Sequence, residues 1–267
     1  MSATVETLAR TERLLVALDF DGTLAPLTDE PMAARMLPEA REAVTALAAL
    51  PDTTVALVSG RALPDLRIIA EHDDDSALLL AGSHGAEFWT GGQAEATDDD
   101  AEAMALRDEL RGKAEGLVEP WEGVWVEPKT FGFAVHTRLA DEVTSATATE
   151  AMDELVRTEA PRWRRRLGHN IVEYAFRDEG KDTAVRVLRE LTGATAVLFA
   201  GDDTTDEDAL ASLGEGDLGV LVGDRDTHAS LTVPDIPAMA ALLGRLAGLR
   251  AQAPRPGGLS RTDTAYS

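Results

Sequence analysis

Asp19 and Asp21 lie two residues apart in the run Asp19-Phe20-Asp21-Gly22-Thr23, directly after the apolar segment Leu14 to Leu18. Period-two spacing in an extended segment points both side chains the same way. One carboxylate of such a pair can attack phosphorus while the other handles the proton, and both can stand beside a divalent metal. Three further polar clusters follow: Ser59 with Arg61, Lys181, and the acidic run Asp202, Asp203 and Asp206. Together they supply a nucleophile, an acid/base, a hydroxyl and a cation to grip a phosphoryl group, and carboxylates for a metal. That inventory suits phosphoryl transfer, in which cations offset phosphate charge while the reacting oxygens are held in line.

Such groups need a scaffold that brings them to one place. Leu14 to Leu18 is apolar at successive positions, the pattern of a strand buried on both faces of a parallel sheet. Further strands are predicted at 54–58, 77–81, 195–200 and 219–222, with helices at 38–50, 63–71, 182–191, 205–213 and 237–249. Pro38 suits the first turn of its helix. This β-α-β-α-β order argues for an α/β fold with a Rossmann-like, doubly wound parallel sheet core. In such sheets ligands bind beyond the carboxyl ends of the strands. Between 93 and 177 the rhythm changes to helix and hairpin segments, which reads as an inserted α+β cap domain. The expected division is therefore 12–92 and 178–249 for the core, 93–177 for the cap, and 250–267 for a disordered tail.

The chain of 267 residues carries 48 acidic and 25 basic residues, a net charge of −23. Such a surface repels nucleic acid and anionic membranes. No apolar run approaches the roughly 20 residues that span a bilayer. The absence of cysteine excludes disulfides, thiolate metal sites and a cysteine nucleophile. With no secretory signal pattern at the start, this composition points to a cytoplasmic setting. Only Lys113, Lys129 and Lys181 are lysine. Acidic, lysine-poor composition is that of proteins from salt-accumulating organisms, so a halophilic protein is expected; a merely acidic mesophilic one is the alternative.

The order and identity of the motifs resemble the haloacid-dehalogenase-like phosphatases and, within them, the trehalose-6-phosphate phosphatase family. The matching stretches are Asp19 to Leu27, Val58-Ser59-Gly60-Arg61, Ala81 to Glu87, and Gly201 to Glu207, over roughly residues 12 to 245. The resemblance implies Asp19 as the nucleophile that forms an aspartyl-phosphate and Asp21 as general acid and then base. It implies Mg2+ held by Asp19, the Asp21 backbone carbonyl, Asp202 and Asp203, with Asp206 in support. Ser59 and Lys181 would grip the phosphate. In the insert, Glu127 and Lys129, the His136-Thr137-Arg138 stretch and Glu173 look like the family's sugar-reading positions. His84 is a further substrate-binding candidate. Asp182 follows Lys181 where the family has glycine. The implied substrate is trehalose 6-phosphate, and the resemblance admits a trehalose-6-phosphate synthase as partner.

Each motif also has a plainer reading. Asp202, Asp203 and Asp206 suit a helix N-terminus, and Ser59 suits an N-cap. Arg61 could be a surface ion pair. Lys113 reads as structural, and Trp121, Trp125 and Trp163 as cap packing. His72, His169 and His228 read as surface residues, and Asp73 to Asp75 and Asp98 to Asp100 as solvated acid. Two other functions stay open: the same chemistry on another sugar phosphate, such as glucosylglycerol phosphate or sucrose phosphate, and a non-catalytic protein that binds a sugar phosphate or a synthase.

Overall fold

The computed structural model describes residues 3–91, the backbone of 94–96, 101–168 and 170–253. His169 and Asp98 to Asp100 fall outside that range, as does the expected tail from 254 onward. In chain order the elements are α1 (Val5–Leu8), β1 (Leu14–Leu18), α2 (Pro38–Ala48), β2 (Thr53–Val58), α3 (Leu63–Ile69), β3 (Leu79–Gly82), β4 (Glu87–Trp89) and β5 (Ala94–Ala96). The insert holds α4 (Ala101–Val118), β6 (Trp125–Lys129), β7 (Gly132–His136), α5 (Glu142–Glu159), β8 (Arg164–Gly168) and β9 (Ile171–Ala175). The core then resumes with α6 (Lys181–Thr192), β10 (Ala196–Gly201), α7 (Glu207–Ser212), β11 (Leu218–Val222), β12 (Leu231–Val233) and α8 (Ile236–Gln252).

β1 buries all five of its side chains because both sheet faces are covered. Leu14, Val16 and Leu18 point into the cluster shared with α2 and α8. Leu15 and Ala17 point the other way, against Ala184, Val185 and Leu188 of α6 and Ala209 and Leu210 of α7. The eight-stranded sheet runs β12-β11-β10-β1-β2-β3-β4-β5. The six strands from β12 to β3 are parallel, and β4 and β5 add antiparallel pairings at one edge. The chain winds outward from β1 to β2 and β3, and later outward from β10 to β11 and β12. The switch in winding lies between β1 and β10, so the end of β1 opens on the crevice where such sheets bind ligands.

The cap is a four-stranded antiparallel sheet, β6-β7-β9-β8. One face packs on α4 and α5 through Leu110, Ala114, Phe133, Val135, Met152, Val172 and Tyr174. Lys113 on α4 pairs with Glu109 and with Glu159 on α5, the structural role expected of it.

Two boundaries shift from the sequence reading. β5 still pairs with β4 in the core sheet, so the cap begins beyond Ala96 and not at 93. β4 and β5 thus form an edge hairpin of the core sheet. α8 continues to Gln252, so 250–252 belong to the core. The reason is Arg250, whose guanidinium donates to Thr53 Oγ1 (2.6 Å) and to the carbonyls of Thr11 (2.8 Å) and Asp52 (2.6 Å). It clamps the lower ends of β1 and β2 to the last helix. Arg250→Ala should lower stability by about 2–3 kcal/mol in urea denaturation, the loss for a cluster of charge-assisted bonds. His72 is not a surface residue either: it is 9% exposed, bonds Leu78 O at 3.0 Å and meets Trp89 edge-on.

Candidate active site

Asp19 leaves β1 at the switch point with 4% of its surface exposed. Its Oδ1 accepts from Lys181 Nζ at 2.5 Å and its Oδ2 from the Thr23 hydroxyl at 3.3 Å. Lys181, the first residue of α6 and 3% exposed, donates also to Asp206 Oδ1 at 2.6 Å. Asp206, fully buried, accepts the backbone N–H groups of Asp202 (3.1 Å) and Asp203 (3.0 Å) through its other oxygen. Asp19, Asp202 and Asp206 each bring a carboxylate oxygen within 4.8 Å of one another.

Burial raises the Asp19 carboxyl well above its usual range. Asp206 and Asp202 add to that rise, while Lys181 opposes it. Asp202 is pushed up to about 7, first by burial and then by Asp206. Burial alone would lower Lys181, but Asp19 and Asp206 outweigh it and keep the ammonium charged. The cluster therefore holds more carboxylate than one ammonium can neutralise. A second cation there would relieve the repulsion, and an all-oxygen donor set suits a hard one such as Mg2+.

Gly22 makes the approach of Asp202 to the β1 loop feasible. Its φ is +83°, and a Cβ there would lie 2.0 Å from Asp202 Oδ2. Asp203, expected beside Asp202 at the metal, is turned elsewhere: it caps the short 3-10 turn at Thr204 and lies 3.6 Å from Arg225. Asp206 takes its place in the carboxylate cluster, a position the four-residue spacing from Asp202 makes intelligible afterwards. Asp182 sits in the first turn of α6, where a negative charge complements the helix dipole, and Lys181 still reaches Asp19.

Asp21 is paired bidentately with Arg61. Ser59, 2% exposed at the end of β2, accepts the Arg61 N–H at 3.1 Å. His84 follows β3 with φ +58° and 6% exposure. Its ring lies against Gly60, where a Cβ would come within 2.6 Å. Burial pushes the imidazole pKa down.

The second face of the cap sheet looks back at this cluster. The register sets Glu127 opposite Ala134, Ala134 opposite Glu173, and Glu173 opposite Arg166, one row across four strands. Glu127 accepts from Lys129 (2.8 Å) and bonds His136 Nε2 (2.7 Å). Glu173 lies 3.5 Å from Arg166 and 3.5 Å from His84 Nε2, joining cap to core. His136 stacks flat on Trp125 at 4.6 Å, with Arg138 over the other ring at 5.1 Å. Trp125 thus belongs to the pocket-side row, whereas Trp121 and Trp163 pack against the cap core as expected.

Burial favours protonation of Glu127 and Glu173, yet both are held down to about 2, Glu127 by His136 and Lys129 and Glu173 by His84, Lys129 and Arg166. Because these folded-state values are depressed, the stability they contribute is present above about pH 4.5 and is lost as pH falls toward about 2. Carboxyl-carbon NMR should find both ionised at pH 4, with midpoints near 2, while exposed glutamates titrate near their usual value of about 4.3.

Core and cap line a cavity of about 750 Å³. It is lined by Asp19, Asp21, Ser59, His84, Lys181, Asp202 and Asp203 from the core and by Glu127, Lys129 and Glu173 from the cap. The catalytic, substrate-binding and metal candidates named from the sequence therefore reach it. Arg61, His136, Arg138, Arg166 and Arg225 line it too. Arg166 and Arg225 carried no sequence signal, because strand register and a loop beyond β11 place them there.

The trehalose-phosphatase family model matches residues 17–230. The trehalose-phosphate phosphatase of Mycobacterium tuberculosis (strain H37Rv) is 35% identical over 257 residues, 90% of this chain and 62% of that protein. The chain thus spans about 60% of the length of the curated relatives it matches. Among solved structures, the C-terminal domain of Candida albicans trehalose-6-phosphate phosphatase superposes with a TM-score of 0.77 at 19% identity, over 92% of this chain and 98% of that one. A sugar phosphatase of HAD subclass IIB superposes at 0.59 and 15% identity, over 88% and 99%. The matched span runs from the end of β1 through the cap to the loop before β12, and on that span the chain belongs to the trehalose-phosphatase family, with an HAD-like fold.

Proposed function

We propose that this chain hydrolyses trehalose 6-phosphate to trehalose and phosphate, with Mg2+ as cofactor. One observation carries the reading: a buried aspartate–lysine–carboxylate cluster at the sheet's switch point faces a polar cap sheet across a cavity of about 750 Å³. Family membership and the pairings within that cluster support it. Asp19 and Asp202, with the backbone carbonyl of Asp21, would hold the metal, and Asp203 and Asp206 shape their loop. When bound, the metal offsets phosphoryl charge.

Asp19 then attacks phosphorus, and the bond from phosphorus to the sugar oxygen breaks as Asp21 gives that oxygen a proton. Water next attacks the aspartyl-phosphate, Asp21 takes the water's proton, and phosphate leaves Asp19. Lys181 and Ser59 hold the phosphoryl oxygens. Glu127, Lys129 and Glu173 hydrogen-bond sugar hydroxyls, with His84 behind Glu173, and the closed cap excludes bulk water. The composition further supports a cytoplasmic, high-salt setting, which full activity and stability in salt-free buffer would overturn.

The test is phosphate release from a panel of sugar phosphates with magnesium or a chelator. Magnesium-dependent release favouring trehalose 6-phosphate is the expected result. Preference for another sugar phosphate would keep the core chemistry and overturn the reading of the cap. No release from folded protein would leave a binding function.

A further inference from the structure

Arg61 is the one residue of the Ser59-Gly60-Arg61 motif whose role neither the spacing nor the cluster above explains. Its Nε donates to Asp21 Oδ2 at 2.6 Å and its Nη2 to Oδ1 at 2.7 Å. That two-point fork sets both the place and the plane of the carboxylate. Among the described residues, no other side chain bonds Asp21. Arg61 is itself pinned, since its N–H donates to Ser59 Oγ (3.1 Å) and its carbonyl accepts the Ser83 N–H (2.7 Å). The two side chains are 18% and 24% exposed, so the pair faces the cavity with little competition from solvent. A carboxylate has about four acceptor positions; the fork takes two and leaves the others open to the cavity.

We propose that Arg61 is a positioning residue that aims the Asp21 carboxylate at the water attacking the aspartyl-phosphate. The inference rests on the phosphatase reading above. In that step the water oxygen bonds phosphorus, the bond from phosphorus to Asp19 Oδ breaks, and Asp21 receives the water's proton. A freely turning Asp21 would meet that proton only part of the time. The fork removes this rotational freedom before substrate arrives.

The test uses p-nitrophenyl phosphate, whose leaving group departs without being protonated, so formation of the aspartyl-phosphate is separated from its hydrolysis. In Arg61→Gln the expected trace is a burst of about one nitrophenolate per enzyme, then steady turnover roughly 10- to 100-fold below wild type, with KM no higher. Arg61→Lys should recover only part of the rate, because an ammonium cannot form the fork. In an Asp21→Asn background, Arg61→Gln should change the hydrolysis of the aspartyl-phosphate by less than about 2-fold, since it acts through Asp21. A raised KM without a burst would instead make Arg61 a ligand of the phosphate. An undiminished rate, or a full further loss in the Asp21→Asn background, would equally overturn the inference. If Arg61→Gln does not fold, Arg61→Lys and guanidinium added to Arg61→Ala give the same comparison. Wild-type protein that cleaves neither this substrate nor trehalose 6-phosphate would overturn the phosphatase reading itself, a result distinct from an active wild type with an indifferent Arg61.

Discussion

Asp19→Asn should lose turnover on the order of 10⁴-fold or more, as removal of a nucleophile does elsewhere, while keeping its fold. The second half of that expectation follows from the electrostatics. Asp19 is buried among Asp202 and Asp206, and its charged form is disfavoured there despite Lys181. Asparagine has nearly the same shape and no charge, and Lys181 retains Asp206. The thermal midpoint of the variant should therefore equal or exceed that of the wild type. Kinetics with trehalose 6-phosphate and a melting curve read the two parts separately. Turnover within about 100-fold of wild type would place the nucleophile elsewhere. A collapsed melting curve would mean that Asp19 serves mainly to hold Lys181.

Lys181→Met should have the largest effect on stability. The ammonium is 3% exposed, and its two carboxylate partners lie at 2.5 and 2.6 Å. Methionine fills similar space but leaves Asp19, Asp202 and Asp206 without the buried cation that separates them. Breaking a buried pair by deleting one partner costs about 3–5 kcal/mol, mostly as the penalty of the charge left behind. Urea denaturation at neutral pH measures it. Magnesium should recover part of the loss, because a cation at Asp19 and Asp202 offsets the same repulsion. A loss below about 1 kcal/mol, the size of an exposed ion pair, would show that solvent already screens the cluster. Arg225 lies 3.6 Å from Asp203 and 3.5 Å from the Asp202 carbonyl, whereas Lys181 bonds Asp19 and Asp206 directly.

The contrast between the two variants separates chemistry from architecture within one cluster. In the proposed mechanism Asp19 contributes a reacting oxygen at some electrostatic cost, whereas Lys181 contributes the charge that makes the cost tolerable. Stability and activity should therefore respond in different proportion at two residues in direct contact. The same division applies in the cap, where Glu127 and Glu173 stay ionised because cations face them, and so remain acceptors for hydroxyls at any physiological pH.

Much of this was legible in the residue order. Continuous apolar runs identify β1, β2 and β10 because a strand buried on both faces admits no polar position, and the polar motifs follow those runs at once. The change of periodicity between 93 and 177 marks the insert to within a few residues. Short edge elements were less visible: β4, β5 and β12 have three residues each, too few for a period to emerge. Arg250 shows the same limit at a helix end, since its acceptors besides the Thr53 hydroxyl are backbone carbonyls that carry no sequence signature.

What the chain determined by itself was therefore the set of candidate reacting groups and the strand ends that carry them, because both depend on neighbours within a few residues. The pairings were decided only in three dimensions. Asp21 meets Arg61 across 40 residues, and Lys181 meets Asp19 across 162. Asp206 displaces Asp203 from the carboxylate cluster because of how one tight turn folds back, and Arg166 faces Glu173 because of cap register. Such partners depend on strand order and on which side chains burial forces together, and neither is encoded in spacing along the chain.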